Sequence, residues 1–277
     1  MKITAADVNA LRQKTGAGMM DCKKALVEAE GDSEKAVEIL RKAGQKVAAK
    51  RADNETSEGI VLVNVSESGD SAKVLALACE TEPVSNVDDF KDLAAIILEA
   101  GVKHNAKNTE ELLAIEMEDG ETVQEHITNL IGKIGEKVIV SDFVHMEGEK
   151  VVAYIHSNKK AAGLVSFSNV GGADVEETGR DISMQIVAMK PVALSKDDVD
   201  PSVIDKEIEI GKDQARQEGK PEAILEKIAM GKLGKFFKEN TLLSQQFVKD
   251  PSISIEQLLE QTQKGLKINS FKRIQIG

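Results

Sequence analysis

"TGAGMMDC", Thr15–Cys22, decides how the first fifty residues of this chain are built. Gly16 and Gly18 ahead of a helical pattern read either as a loop that cradles phosphate or as the corner between two helices. A dinucleotide-binding turn needs a preceding strand, a third glycine and an acid about twenty residues on. Here a helical pattern precedes, no third glycine follows, and Asp21 stands in the first turn of the new helix. A negative side chain there suits the helix dipole and repels phosphate. No Gly-Lys-Ser or Gly-Lys-Thr of a P-loop occurs either. The stretch reads as a helix-to-helix corner.

The surrounding pattern agrees. Thr4 with Asp7 forms an acidic variant of a capping box ahead of Val8 and Leu11. Cys22, Ala25, Leu26 and Ala29 make the i, i+3, i+4, i+7 stripe of a second helix. Asp32 or Ser33 caps a third, with Val37 and Leu40 inward and Gly44 as its expected stop. Gln45–Gly59 is charged and weakly patterned, a linker that begins helical. Met19 and Met20 point about 100° apart on a helix, so one narrow seam hardly holds both. Either one is core and the other an adaptable docking contact, or both fill gaps in a small core.

From Gly59 the period changes. "GIVLVNV" and "AKVLALACE" read as strands around a Gly69-Asp70 turn, followed by helices near Val87–Ala100 and Thr122–Gly135. Strands resume in "KVIVSDFVHM", "KVVAYIHS" and "AGLVSFSN", and a helix then runs up to Pro191. Strands followed by helices, twice over, predict an α+β layer arrangement and leave an internal repeat open. Between Pro191 and Phe237 two helices break at Gly219-Lys220-Pro221, with Ile204, Ile208, Gly211 and Ala215 set to face Ile224, Ile228 and Gly231. That describes an antiparallel hairpin, either a partner contact or a structural arm. A helix, "SISIEQLLEQTQK", and a strand, "LKINSFKRIQI", close the chain.

The 277 residues carry a net charge of −11, yet residues 1–51 hold 11 Lys and Arg against 7 Asp and Glu. An acidic body with no Trp and one Tyr argues against nucleic acid or an anionic membrane as partner; it points either towards another protein or to a surface charged only for solubility. No run of residues is apolar enough to span a bilayer, the N-terminus lacks a signal-peptide pattern, and two cysteines make no disulfide framework. The expectation is a reduced, cytoplasmic protein. His104, His126, His145 and His156 show no metal-ligand spacing, and no nucleophile motif occurs. No catalytic residue, metal or cofactor is expected.

"LACETEPVSNVDDF", Leu77–Phe90, is the unusual stretch of the body: a buried strand ends at Cys79, Pro83 blocks regular pairing, and Glu82 lies at an exposed corner. Glu82 either caps a helix end or reaches into a partner. "LRQKTGAGMMDCKKALVEAEGDSEKAVEILRKAG" and "EGKPEAILEKIAMGKLGKFFKENTLLSQQFVKDPSISIEQLL" together resemble the bacterial elongation factor Ts family, guanine nucleotide exchange factors of elongation factor Tu. The likeness runs from Ile3 to Ile276.

The resemblance implies a three-helix, ubiquitin-associated-like domain with linker over 1–55. It implies a core of two related α/β subdomains over 56–140 and 141–277, with the hairpin at about 191–237. It implies elongation factor Tu, GDP-bound or nucleotide-free, as partner, and leaves a homodimer through the core open. It assigns Arg12, Met19, Met20, Lys50 and Arg51 to docking the GTPase domain of that partner, and His156 to a contact from the core. Thr81-Glu82-Pro83-Val84 stands where the family carries Thr-Asp-Phe-Val, whose acid and aromatic enter the partner near its magnesium. Glu82 keeps the charge, but Pro83 cannot reproduce an aromatic wedge and biases Glu82 towards extended backbone. Either Val84 wedges instead, or exchange depends more on Glu82 and the surrounding contacts; the alternative function is a module that holds the partner without exchanging nucleotide.

Overall fold

The computed structural model describes residues 3–277. Helix α1 (Ala5–Thr15) opens on the capping box: Asp7 N donates to Thr4 Oγ1 at 3.2 Å, and Thr4 N donates to the Asp7 carboxylate at 2.8 Å. Gly16 ends it at φ 66°, a left-handed conformation open to a residue without Cβ. Gly18 caps α2 (Met19–Glu28), so Thr15–Cys22 is the helix-to-helix corner. Asp32 caps α3 (Ser33–Lys50) by accepting from Glu34 N and Lys35 N at 3.0 and 3.1 Å. Val8, Leu11, Cys22, Ala25, Leu26, Ala29 and Ala36 make the small core between the three helices.

Gly44 does not end α3, contrary to the sequence expectation. The helix runs through it to Lys50, and Gly44 is buried where α3 crosses a core helix, α7 (Val123–Ile134). A Cβ on Gly44 would lie 2.7 Å from Thr128 O, and Gly132 stands opposite. The glycine is there for close approach of two backbones. Beside the crossing, Arg41 donates from Nη2 to Glu121 Oε1 (2.5 Å) and from Nη1 to Glu125 Oε1 (2.9 Å), which holds the bundle on the core.

The core holds two three-stranded antiparallel sheets. In the first, β1 (Glu58–Val65) and β2 (Ser71–Cys79) form a hairpin and β3 (Val138–Glu147) returns on the far side of β2. In the second, β4 (Lys150–Ile155) and β5 (Ala161–Ser168) form the hairpin and β8 (Lys267–Gln275) returns on β5. Between β2 and β3 lie α4 (Glu82–Ser85), α5 (Asp88–Lys103), α6 (Thr109–Leu113) and α7. Between β5 and β8 lie α8 (Glu176–Met189), α9 (Pro201–Gln217), α10 (Glu222–Asn240), a short pair β6 (Gln246–Phe247) and β7 (Asp250–Ser254), and α11 (Ile255–Thr262). The third strand of each sheet carries a register shift at the same point, opposite Ala76/Leu77 and opposite Ser166/Phe167.

Both central strands are buried on both faces, which is why they read as continuous apolar runs. On β2, Leu75, Leu77 and Cys79 face α5 and α7 while Val74, Ala76 and Ala78 face the second sheet. On β5, Val165 and Phe167 face α8 and α11 while Ala162 and Leu164 face the first sheet. The sheets also exchange backbone hydrogen bonds at their turns: Val61 N donates to Lys159 O and Val151 N to Gly69 O, each at 2.7 Å. At the rim of the first sheet, the buried Lys73 donates to Ala106 O (2.8 Å) and His145 Nδ1 (2.9 Å), while Lys107 and His145 both reach the Glu147 carboxylate.

The helical hairpin is α9 and α10, residues 201–240, later in the chain than expected because 191–200 is extended chain and a single 3-10 turn. Its facing residues also differ on α10. Leu225, Ala229 and Leu233 are buried, whereas Ile224 is exposed and Gly231 faces open space. A Cβ on Gly211 would lie 3.1 Å from Ala229 Cα, so the tight crossing pairs Gly211 with Ala229. Choosing the branched Ile224 over the neighbouring Leu225 rotates the helix by one position, or 100°.

Candidate functional site

The corner after β2 is held from several sides. Cys79 Sγ donates to Thr81 O at 3.4 Å, and burial, helped by the nearby Glu136 charge, pushes this thiol up to about 11. Thr81 Oγ1 donates to both Glu136 oxygens, at 2.9 and 3.1 Å. Glu82 opens the single turn α4, so its backbone is helical and not extended as the proline suggested. Pro83 fits there because a helix leaves its first N–H groups without intrahelical partners. Thr81, Glu82 and Pro83 are exposed. Val84 is 7% exposed and packs in the core with Leu75, Leu77 and Phe90, so it is a structural residue in this conformation and no wedge.

Glu80, which sequence reasoning passed over, is the anchor of this corner. Its carboxylate accepts from Arg51 Nη1 (3.0 and 2.8 Å), Asn54 Nδ2 (2.8 Å) and Lys137 N (2.6 Å). Burial pushes its pKa up, but these donors outweigh burial and hold it below the ordinary carboxylate value. Lys137 Nζ donates to Ala52 O and Asn54 O at 2.6 and 2.8 Å, tying the same segment to the chain leaving α3. Arg51, assigned to a partner from sequence, thus also holds this corner within the molecule, its side chain 38% exposed. Lys50 beside it is exposed. The signal available in the sequence was an acid directly before the corner and an arginine at the end of a helix, too common a pairing to single out.

Other residues singled out from sequence lie on the N-terminal bundle and on the second sheet. Met19 and Met20 are both exposed, at 53% and 62%, so neither the one-in-one-out nor the core alternative holds. They occupy the first turn of α2, one turn before its buried face begins at Cys22. Arg12, on the last turn of α1, is exposed as well. The α1–α2 corner rests against the end of α7: Lys133 Nζ comes 3.5 Å from where a Cβ on Gly16 would stand, and pairs with Asp89 Oδ2 at 2.7 Å at the start of α5. Three residues on, Glu136 binds Thr81.

His156 reaches the same end from the second sheet. It is exposed at the β4–β5 turn, with Nδ1 3.1 Å from Tyr154 Oη. That turn abuts β1 through Lys160 Nζ, 2.5 Å from Glu58, and Glu58 pairs with Cys79. Side-chain contacts and short stretches of chain thus connect Gly16, Thr81 and His156.

Asp119, Glu121 and His126 bring ligand-type atoms within 4.8 Å of one another. Both Glu121 oxygens are occupied, one by Arg41 and the other by Asn129 Nδ2 at 2.6 Å. Asp119 and His126 pair with each other at 3.2 Å, and Glu121 alone of the three ties α3 through Arg41. Among the described residues no helix is long and apolar enough to cross a membrane.

An exposed, braced corner at Thr81-Glu82-Pro83 and two exposed methionines on the N-terminal bundle are the features this site offers. The model of the elongation factor Ts family matches residues 80–277. The chain is 61% identical over 275 residues to elongation factor Ts of Cytophaga hutchinsonii, covering 99% of both chains. It is 50% identical to that of Amoebophilus asiaticus over the full length of both, and 46% identical to that of Flavobacterium psychrophilum over 99% of both. The chain belongs to the elongation factor Ts family.

Proposed function

We propose that this protein binds elongation factor Tu in the cytoplasm, in its GDP-bound and nucleotide-free forms, and speeds release of GDP. It performs no covalent chemistry: it makes nucleotide and magnesium weaker ligands of the partner, and by linkage the nucleotide weakens the factor equally. In this reading residues 1–55 are a docking domain, with Arg12, Met19, Met20 and Lys50 on the contact. Residues 56–140 and 141–277 are two related halves of the core, which bring Thr81, Glu82, Pro83 and His156 to the partner.

The single observation that carries the reading is the exposed Thr81-Glu82-Pro83 turn, braced from beneath by Glu136 and Glu80. Stopped-flow release of a fluorescent GDP from the cognate Tu tests it: release accelerates with added factor, and no acceleration at micromolar factor defeats the reading. The alternative, a holder that leaves nucleotide in place, draws on Pro83 lacking an aromatic ring and Val84 being buried. A stable complex that retains GDP is its signature.

A further inference from the structure

We infer that Glu80 is a positioning residue for nucleotide release, the joint through which the docked N-terminal bundle sets the exposed Thr81-Glu82-Pro83 turn. This rests on the exchange reading above and adds a residue and a coupling to it.

The geometry is specific to such a role. Glu80 is the last residue before the turn, its side chain is 13% exposed, and its carboxylate draws donors from three places. Arg51 comes from the end of α3, the helix that crosses the core at Gly44 and holds the bundle. Asn54 comes from the link between bundle and core, and Lys137 N from the segment that also places Glu136 on Thr81. Arg51 Nη1 reaches both Glu80 oxygens, and such a charge-assisted pair is stronger than a neutral hydrogen bond. Any rotation of the bundle about the α3–α7 crossing therefore moves Arg51, and with it the backbone immediately before Glu82. Glu80 itself points inward to these donors and leaves Glu82 and Pro83 to face outward. Partner contact at Met19 and Met20 and insertion at the turn are joined by this one carboxylate.

The test separates positioning from binding and from folding. GDP release from the cognate Tu is followed against factor concentration, giving a plateau rate and a half-saturating concentration for wild type, Glu80→Gln, Arg51→Ala and the double variant. Losing one charge-assisted hydrogen bond predicts a plateau lowered about tenfold, with half-saturation unchanged within twofold. The double variant should be no slower than the slower single variant, because both act through one contact. Asn54→Ala, which removes an exposed donor to the same carboxylate, should give a smaller loss of the same kind and serves if Glu80→Gln fails to fold. A plateau unchanged in Glu80→Gln, or a loss lying wholly in half-saturation, overturns the inference. Wild type failing to speed release sinks the exchange reading itself, a separate outcome.

Discussion

At Glu82, exposure separates function from stability. The side chain has no hydrogen-bond or ion-pair partner among the described residues, and its backbone carbonyl is what Ser85 Oγ and Asn86 Nδ2 use. Glu82→Ala should slow GDP release while changing stability by no more than about 0.5 kcal/mol, as for exposed positions generally; a thermal melt alongside the release assay checks both. Pro83→Phe tests the missing ring directly. If the wedge matters, release by this variant is faster than by wild type. Buried Val84 offers no such handle, since its truncation would leave a cavity in the core and confuse packing with contact.

At the scale of elements, two helix glycines with opposite surroundings predict opposite outcomes. Gly44→Ala gains about 1 kcal/mol of helix propensity but drives a methyl to 2.7 Å from the Thr128 carbonyl oxygen, which a packed backbone cannot yield cheaply. The net effect should be destabilising by about 1–2 kcal/mol. Gly231→Ala, in α10 with nothing within 4 Å, should stabilise by about 0.5–1 kcal/mol. Urea midpoints of the two variants decide the pair.

The same two residues mark what the sequence tells and what it withholds. Periodicity located α1 to α3 and the two long helices, because each buries one stripe, while continuous apolar runs marked the central strands of both hairpins. It could not tell a glycine that ends a helix from one that lets two helices touch, since that depends on α7, some eighty residues away. Single turns such as α4 and α6 carry no period at all. Of the candidate site, the exposed residues were legible as oddities: adjacent methionines, and an acid beside a proline. The brace beneath them was not, because Glu80 meets Arg51, Asn54 and Lys137 only after folding.

For the molecule as a whole, carboxylates set the response to acid. Thr122 N–H donation, opposed by burial, lowers Glu125; hydrogen bonds outweigh burial to lower Glu80. Lys107 and then His145 bring Glu147 down to about 2 from an ordinary 4.5. A depressed folded-state pKa means stabilisation fully present above about pH 4.5, lost as pH falls towards 2. Asp142, raised by burial and opposed by Lys272, works in the other direction. Urea midpoints should therefore fall between pH 5 and 3 (about one unit either side of the ordinary carboxylate value), and Glu147→Gln should flatten that slope.

The exchanged turns of the two sheets also order events during synthesis. When β3 leaves the ribosome the first sheet has its three strands, yet Val61 N still waits for the carbonyl of Lys159. The face bearing Val74, Ala76 and Ala78 is uncovered until Leu164 on β5 and Ile274 on β8 arrive. A nascent chain of the first 150 or so residues thus presents a finished sheet with a bare apolar side, the kind of intermediate that nascent-chain chaperones shelter.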